Sequence, residues 1–244
     1  MERTLLSAAG AFFWRHRFAD KSVHATQEMS CLLYYITDRS QFRGDECTRR
    51  RALLAKAAEA ARAGVDYIQL REKDLRTREL ETLAREVVAA VRQNSPSMRV
   101  LVNFRTDVAL AAEADGVHLR ADDVAPHEVR LVLEASAHRP LIADHFLVAT
   151  SCHSNEDVIR AEAEAADFAV FAPVFEKNKT PGTQPTGLAA LSEACQANIP
   201  IFALGGVTIE NAASCLHAGA AGIAAIRLFQ ENKIEDVVSA LRAL

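Results

Sequence analysis

The sequence has no block of like charge, no cysteine framework and no apolar run long enough to cross a bilayer. Its 28 Lys and Arg against 32 Asp and Glu leave a net charge of −4, and both signs are spread along all 244 residues. That spread excludes the basic footprint of a nucleic-acid binder and any strong pull toward an anionic membrane. An anionic ligand would have to be held by a local cluster. The five cysteines, Cys31, Cys47, Cys152, Cys195 and Cys215, are odd in number and nowhere show C-x-x-C spacing. Neither a disulfide framework nor a zinc site is indicated, and the usage suits a reducing cytoplasm. The apolar stretch 5–14 lies between Glu2, Arg3 and Arg15, His16, Arg17. It is too short to span hydrocarbon, and the bulk around Trp14 makes a poor small-residue cleavage site.

What is present is alternation. From residue 32 onward, short apolar runs rich in β-branched or aromatic residues alternate with longer stretches of helical period, the signature of repeated βα units. Eight strands are predicted, over 32–37, 67–70, 100–103, 116–118, 146–150, 168–171, 201–204 and 222–226. Helices such as 49–63 and 77–92 separate them, rich in Ala, Leu, Arg and Glu. Nearly continuous apolar strands are those of a parallel sheet covered on both faces. The length suits one (β/α)8 TIM barrel, and right-handed crossovers wind the strands one way around. A doubly wound open sheet would more often carry a Gly-rich loop after its first strand, and Thr37-Asp38-Arg39-Ser40 has none. Three junctions share a phrase: Ala63-Gly64-Val65-Asp66, Ala114-Asp115-Gly116-Val117 and Ala218-Gly219-Ala220-Ala221-Gly222. Their glycines are expected to end helices in the left-handed conformation and so to mark the bottom of the barrel. The organised pattern starts just after Met29, which divides the chain into an N-terminal extension, 1–28, and one domain, 29–244.

In such a barrel, chemistry sits where strands end and βα loops begin. After the second strand, Gln69-Leu70-Arg71-Glu72-Lys73 alternates so that Gln69, Arg71 and Lys73 face one side and Glu72 the other. Two cations and an amide there suit a phosphate or pyrophosphate, the Arg as a fork and the Lys as a point charge. Asn103 can donate to a ligand oxygen, and Asp107 is expected to cap the next helix. Asp122 and Asp123 read equally as magnesium ligands or as an acidic pair at a helix N-terminus. Ser151 offers a hydroxyl, Ser154 and Asn155 can start a helix, and the polar loop 176–183 is of the kind that closes over a ligand. Gly205-Gly206-Val207-Thr208 is the strongest local signal, since paired glycines before a helix present backbone N–H groups to an anion. Arg227, after the eighth strand, can add charge to the same phosphate.

Taken in order, Tyr35-Ile36-Thr37-Asp38, Gln69 to Lys73, Asn103-Phe104-Arg105-Thr106-Asp107-Val108-Ala109-Leu110, Asp115-Gly116-Val117-His118-Leu119, Pro173-Val174-Phe175 and Leu204-Gly205-Gly206-Val207 resemble thiamine phosphate synthase. The resemblance covers residues 32–230 and implies a TIM barrel. It also implies a reaction in which hydroxymethylpyrimidine pyrophosphate loses pyrophosphate and the nitrogen of a thiazole phosphate captures the pyrimidine cation, with magnesium escorting the pyrophosphate. By the same resemblance, Gln69, Arg71, Lys73 and Asn103 hold pyrophosphate beside Ser151, with Arg71, Lys73, Asn103 and Ser151 as the catalytic set. Lys179 and Thr180 contact substrate from the sixth loop, Gly205, Gly206, Ile226 and Arg227 hold the thiazole phosphate, and Asp123 is a magnesium ligand. The chain departs from the family pattern at Phe104, where a second metal aspartate is expected. It departs again at Arg120 and Arg227, which replace glycine and serine, and at Lys177-Asn178-Lys179-Thr180, where the lysine has moved by one place. A thiazole tautomerase of the same superfamily would need a histidine where Pro173 stands. That enzyme and a silent phosphate-ligand binder remain the alternatives, and a homo-oligomer stays open.

Because the extension matches none of the eight units, a chain starting at Met29 should melt within a few degrees of the full chain; a large drop in thermal denaturation would refute this.

Overall fold

A computed structural model describes residues 31–135, 145–176 and 184–244, and in it the alternation becomes eight parallel strands closed in chain order. They are β1 (Leu32–Ile36), β2 (Tyr67–Leu70), β3 (Arg99–Asn103), β4 (Gly116–Leu119), β5 (Leu147–Cys152), β6 (Phe168–Phe171), β7 (Ile201–Ala203) and β8 (Gly222–Ala225). Between and after them run α1 (Glu46–Ala63), α2 (Thr77–Asn94), α3 (Thr106–Ala111), α4 (Pro126–Ala135), α5 (Asn155–Ala163), α6 (Gly187–Ala194), α7 (Ile209–His217), α8 (Arg227–Gln230) and α9 (Ile234–Arg242). Because β1 pairs with both β2 and β8, no edge is left to recruit another chain. The expected TIM barrel is therefore what forms. The extension 1–28 lies outside the described residues, as do Lys177, Lys179 and Thr180.

The period of two sorts side chains into two cores. Tyr34 and Ile36 point into the barrel, with Tyr67, Leu101, Phe168, Val170 and Phe202. Leu33 and Tyr35 point the other way, among the residues that pack under the helices. Inside, four rings meet edge-to-face or tilted, from 5.0 Å between the centroids of Phe168 and Phe202 to 5.9 Å between Tyr34 and Tyr67. Such offset contacts suit the ring quadrupoles and fill the barrel without a channel.

The bottom is tied by carboxylates. Asp66 accepts from the Leu33 amide at 2.8 Å, Asp115 from Val100 at 2.8 Å and Asp167 from Val148 at 2.6 Å. Each satisfies the second amide of an odd-numbered strand from the residue preceding an even-numbered one, which accounts for the aspartate in the first two junctions. Gly64, at φ 85°, and Gly219, at φ 103°, are the left-handed helix ends expected. The middle junction differs: Glu113 takes the positive φ of 56°, and Gly116 opens β4. A Cβ at Gly116 would press into the Leu147 carbonyl, so the glycine is needed for strand contact rather than for a turn.

Five strands, β1, β4, β5, β7 and β8, end one or two residues from the expected place, and two of these shifts touch site residues. β5 continues to Cys152 and so carries Ser151 on the strand itself. β8 stops at Ala225, and Ile226 and Arg227 open the short helix α8. Asp107 lies inside the first turn of α3 and forms a two-pronged ion pair with Arg105, at 2.8 and 2.5 Å, instead of capping the helix. Ser154, as expected, caps α5 by accepting from the Asp157 amide at 3.2 Å.

Candidate active site

All eight strands point their C-terminal ends at one mouth. The register pairs Leu70 with Val102 and Asn103 with His118, so Arg71 follows beside Asn103 and the two share a level with His118. Arg71 is half-buried and Lys73 exposed, and neither side chain has a hydrogen bond or ion pair among the described residues. Burial lowers the pKa of Arg71, and the Arg71 charge, more than burial, lowers that of Lys73, with Arg120 adding to it. The Asp38 charge opposes both shifts, and cations held close without a hydrogen-bonded carboxylate favour an added anion.

The carboxylate between them in sequence is kept away. Glu72 is buried and turned to the other side, where it accepts from the Thr37 hydroxyl at 2.6 Å and from the Arg39 amide at 3.0 Å. The Arg39 guanidinium joins Glu72 at 3.1 Å, Asp74 at 2.6 Å and Glu46 at 2.8 Å, so the first loop is locked to the second. Thr37 Oγ1 also accepts from the Arg71 amide at 3.0 Å. The clamp therefore fixes the backbone from which Arg71 projects. Gln230 holds the far side of the first loop, accepting from the Tyr35 hydroxyl at 3.1 Å and donating to the Asp38 carbonyl at 2.7 Å.

Beneath the cations runs a buried polar chain. The Tyr34 hydroxyl lies 3.1 Å from His118 Nδ1, and His118 Nε2 lies 2.9 Å from Ser151 Oγ. Gln69, only 2% exposed, contacts the same Tyr34 hydroxyl and so stands under the mouth rather than in it. Burial raises the Tyr34 pKa well above the ordinary phenol. Burial first, and the Arg71 charge second, push the His118 pKa down to about 3, so the imidazole is neutral at physiological pH. The sequence analysis gave Tyr34 and His118 no role. Their signal was the period of two, which turns both inward toward the strand ends.

The far side of the mouth is built from backbone. Gly205 and Gly206 both take positive φ, 96° and 67°, and a Cβ on Gly206 would come within 2.6 Å of the Glu176 carbonyl oxygen. The carbonyls of Leu204 and Gly205 accept from the Val174 and Phe175 amides, both at 2.9 Å, which ties this turn to the sixth loop. The turn leads into the N-terminus of α7, whose amides favour an anion. Arg227, half-buried at the start of α8, has no hydrogen bond or ion pair among the described residues.

Near the β4 end, a cleft of about 160 Å3 is lined by Arg120, Asp123, Thr150, Ser151, Asp157 and Arg160. Asp123 Oδ1 accepts from the Val124 amide at 3.0 Å, while its Oδ2 is buried with no hydrogen-bond partner. The Arg120 guanidinium, 3.9 Å from that oxygen, sits 5.1 Å over the Phe104 ring. Among the described residues no three His, Cys, Asp or Glu side chains converge as a metal cage. Asp122 points to solvent and meets Arg120 at 3.6 Å.

The closed barrel gathers these groups at the C-terminal ends of its strands, where (β/α)8 barrels build their sites. The family described as thiamine monophosphate synthase matches residues 33–229, and the chain belongs to that family. A protein of Aquifex aeolicus provisionally named thiamine-phosphate synthase 2 is 40% identical over 200 residues, covering 82% of this chain and 97% of its own. The thiamine-phosphate synthase of Chlorobium luteolum is 38% identical over 187 residues, 76% of this chain and 82% of its own. Among solved structures, thiamine phosphate pyrophosphorylase from Pyrococcus furiosus superposes with a TM-score of 0.70 at 27% identity, over 87% of this chain and 94% of that one. No helix among the described residues is long and apolar enough to cross a membrane.

The depressed His118 pKa has a consequence for stability. The unfolded imidazole takes up its proton near pH 6.5 and the folded one only near pH 3, so stability is full above 6.5 and is lost as pH falls toward 3. Between pH 7 and pH 5 this amounts to about 2 kcal/mol. Denaturant titrations at the two pH values should show the native protein losing that much more than His118→Gln; equal losses would show that the folded imidazole titrates normally.

Proposed function

We propose that the protein is a thiamine-phosphate synthase, a transferase that joins hydroxymethylpyrimidine to thiazole phosphate and releases diphosphate. The observation that carries this reading is the unpaired, mutually repelling pair Arg71 and Lys73 at the mouth, facing a second cradle at Gly205, Gly206 and Arg227. Two anions held apart suit two phosphorylated substrates. In this reading Arg71, Lys73, Asn103 and Ser151 grip the diphosphate, whose negative charge grows as the pyrimidine carbon leaves it. Gly205, Gly206, Ile226 and Arg227 hold the thiazole phosphate, which gains no charge. Lys179 and Thr180 reach the substrates from the sixth loop. Gln69 acts from below, through Tyr34.

The buried, unpartnered Asp123 Oδ2 fits a hard cation, so Asp123 would hold magnesium against the diphosphate. When bound, that ion supplies Lewis-acid neutralisation of phosphate oxygens. Phe104 cannot ligate it, and the Arg120 guanidinium competes for the same carboxylate. Binding therefore relies on oxygens from the substrate, and calorimetry of the substrate-free protein should find no micromolar magnesium site; finding one would contradict this assignment. The free cysteines fit a cytoplasmic location, where these small phosphorylated substrates would be met.

Mass-spectrometric detection of thiamine phosphate, after incubation with hydroxymethylpyrimidine diphosphate, thiazole phosphate and magnesium, tests the assignment; no product would sink it. In the same assay Arg71→Ala should lower kcat by about 10²–10³-fold, the scale of losing a preorganised contact that strengthens in the transition state. Lys73→Ala should act in the same direction. Arg227→Ala should raise KM for the thiazole phosphate with kcat nearly kept, because its contact is equal in ground and transition states. An unchanged kcat for Arg71→Ala, or a loss of kcat alone for Arg227→Ala, would mean the two anion sites are assigned the wrong way round.

A further inference from the structure

Ser151 is the one diphosphate-facing group in the proposed site whose proton can point either way. Its hydroxyl rotates freely, so what it offers a ligand depends on which partner uses its oxygen. Here that partner is His118 Nε2 at 2.9 Å, and the opposite nitrogen of the ring is 3.1 Å from the Tyr34 hydroxyl. A neutral imidazole carries one proton, so the Tyr34 contact and the Ser151 contact must run in the same direction along the chain.

The surroundings choose the direction. Tyr34 is fully buried among Tyr67, Phe168 and Phe202, and its hydroxyl keeps its proton. A diphosphate over Ser151 accepts from that hydroxyl and leaves its oxygen to the histidine, so His118 Nδ1 must be the acceptor, and the buried Tyr34 hydroxyl 3.1 Å away supplies the proton. The ring proton is then on Nε2 and is donated to Ser151 Oγ. The Ser151 proton, displaced from the histidine, turns outward to the mouth.

We propose that Tyr34 and His118 are positioning residues of the transfer: the Tyr34 hydroxyl donates to His118 Nδ1 and holds the ring as the Nε2–H tautomer, so that the Ser151 hydroxyl donates to an oxygen of the departing diphosphate. This rests on the reading that the diphosphate lies over Ser151. No proton is transferred along the chain; each donor keeps its own. The opposite polarity would leave Ser151 donating to His118 and presenting only lone pairs to an anion, which would repel it.

Two measurements decide the matter. Nitrogen NMR of 15N-histidine-labelled protein saturated with inorganic pyrophosphate should show His118 as the Nε2–H tautomer at pH 7, and the Nδ1–H tautomer would overturn the proposal. The second is a double-mutant cycle with Tyr34→Phe, which removes one oxygen and leaves the ring, and Ser151→Ala. Tyr34→Phe alone should lower kcat and weaken the binding of inorganic pyrophosphate, each about 10-fold, the scale of a misdirected hydrogen bond. In the Ser151→Ala background it should change neither. Equal losses in both backgrounds, as a merely structural role for Tyr34 would give, overturn the relay, and so does no loss in either. The pyrophosphate titration and the tautomer do not require turnover. A native protein that makes no thiamine phosphate would defeat the synthase assignment while leaving the relay to be judged on those two results.

Discussion

The rest of the structure depends on a dry aromatic floor inside the barrel. Tyr34, Tyr67, Phe168 and Phe202 close the interior below the strand ends, with ring centroids between 5.0 and 5.9 Å apart. Because these rings are buried, His118 is neutral at physiological pH, Arg71 is partly desolvated, and polar atoms next to the floor need partners in the protein. Tyr34 belongs to both layers, with its ring in the apolar plug and its hydroxyl at the base of the polar chain to Ser151.

Rigidity above the floor comes from charges that neutralise one another away from the ligand. Arg39, Glu72, Asp74 and Glu46 form one connected cluster between the first two loops. Exposed pairs such as Lys233 with Glu235 add little, because solvent screens them. The Arg39 cluster is different in that its central guanidinium and the Glu72 carboxylate are buried and fully hydrogen-bonded, so removing one partner would strand the others. Its service to the site is geometric: Thr37 binds Glu72 with its hydroxyl hydrogen and the Arg71 amide with its oxygen.

The barrel was legible because its signals are local and repeated: eight apolar runs, helical stretches between them, and a bottom junction that recurs. The polar strand ends were legible for the same reason, since Arg71, Lys73, Asn103 and Ser151 fall where a strand gives way to a loop. What stayed hidden required knowing which residues from distant strands meet. His118 and Ser151 are 33 positions apart, Tyr34 and His118 are 84 apart, and no local pattern joins them. The strand limits erred where turn chemistry competes with apolar continuity. Ile226 extends the apolar run of β8, yet its backbone already lies in the helical region, and it opens α8. Gly116 misled in the opposite sense, since a glycine beside a helix end reads as a cap, whereas here close approach of β5 demands it.

The net charge of −4 concealed a positive mouth, and the fold explains how. Acidic residues are spent on structure: Asp66, Asp115 and Asp167 satisfy strand amides at the bottom, and Glu72 and Asp74 neutralise Arg39 behind the first loop. Arg71, Lys73 and Arg227 have no hydrogen-bonded or ion-paired carboxylate among the described residues, and only the Asp38 and Glu72 charges reach the first of them and Asp38 the second. The run Arg71-Glu72-Lys73 mixes signs along the chain, but just past the end of β2 Glu72 is turned away to Thr37 and Arg39. The cations then meet at one level while the carboxylate is buried behind them. Phe104 and Arg120 push the balance further. A ring stands where a carboxylate would have cancelled charge, and its face holds a guanidinium toward the same mouth. The separation of Arg71 and Lys73 from Glu72 is made in the loop that follows β2, and sequence totals cannot show it.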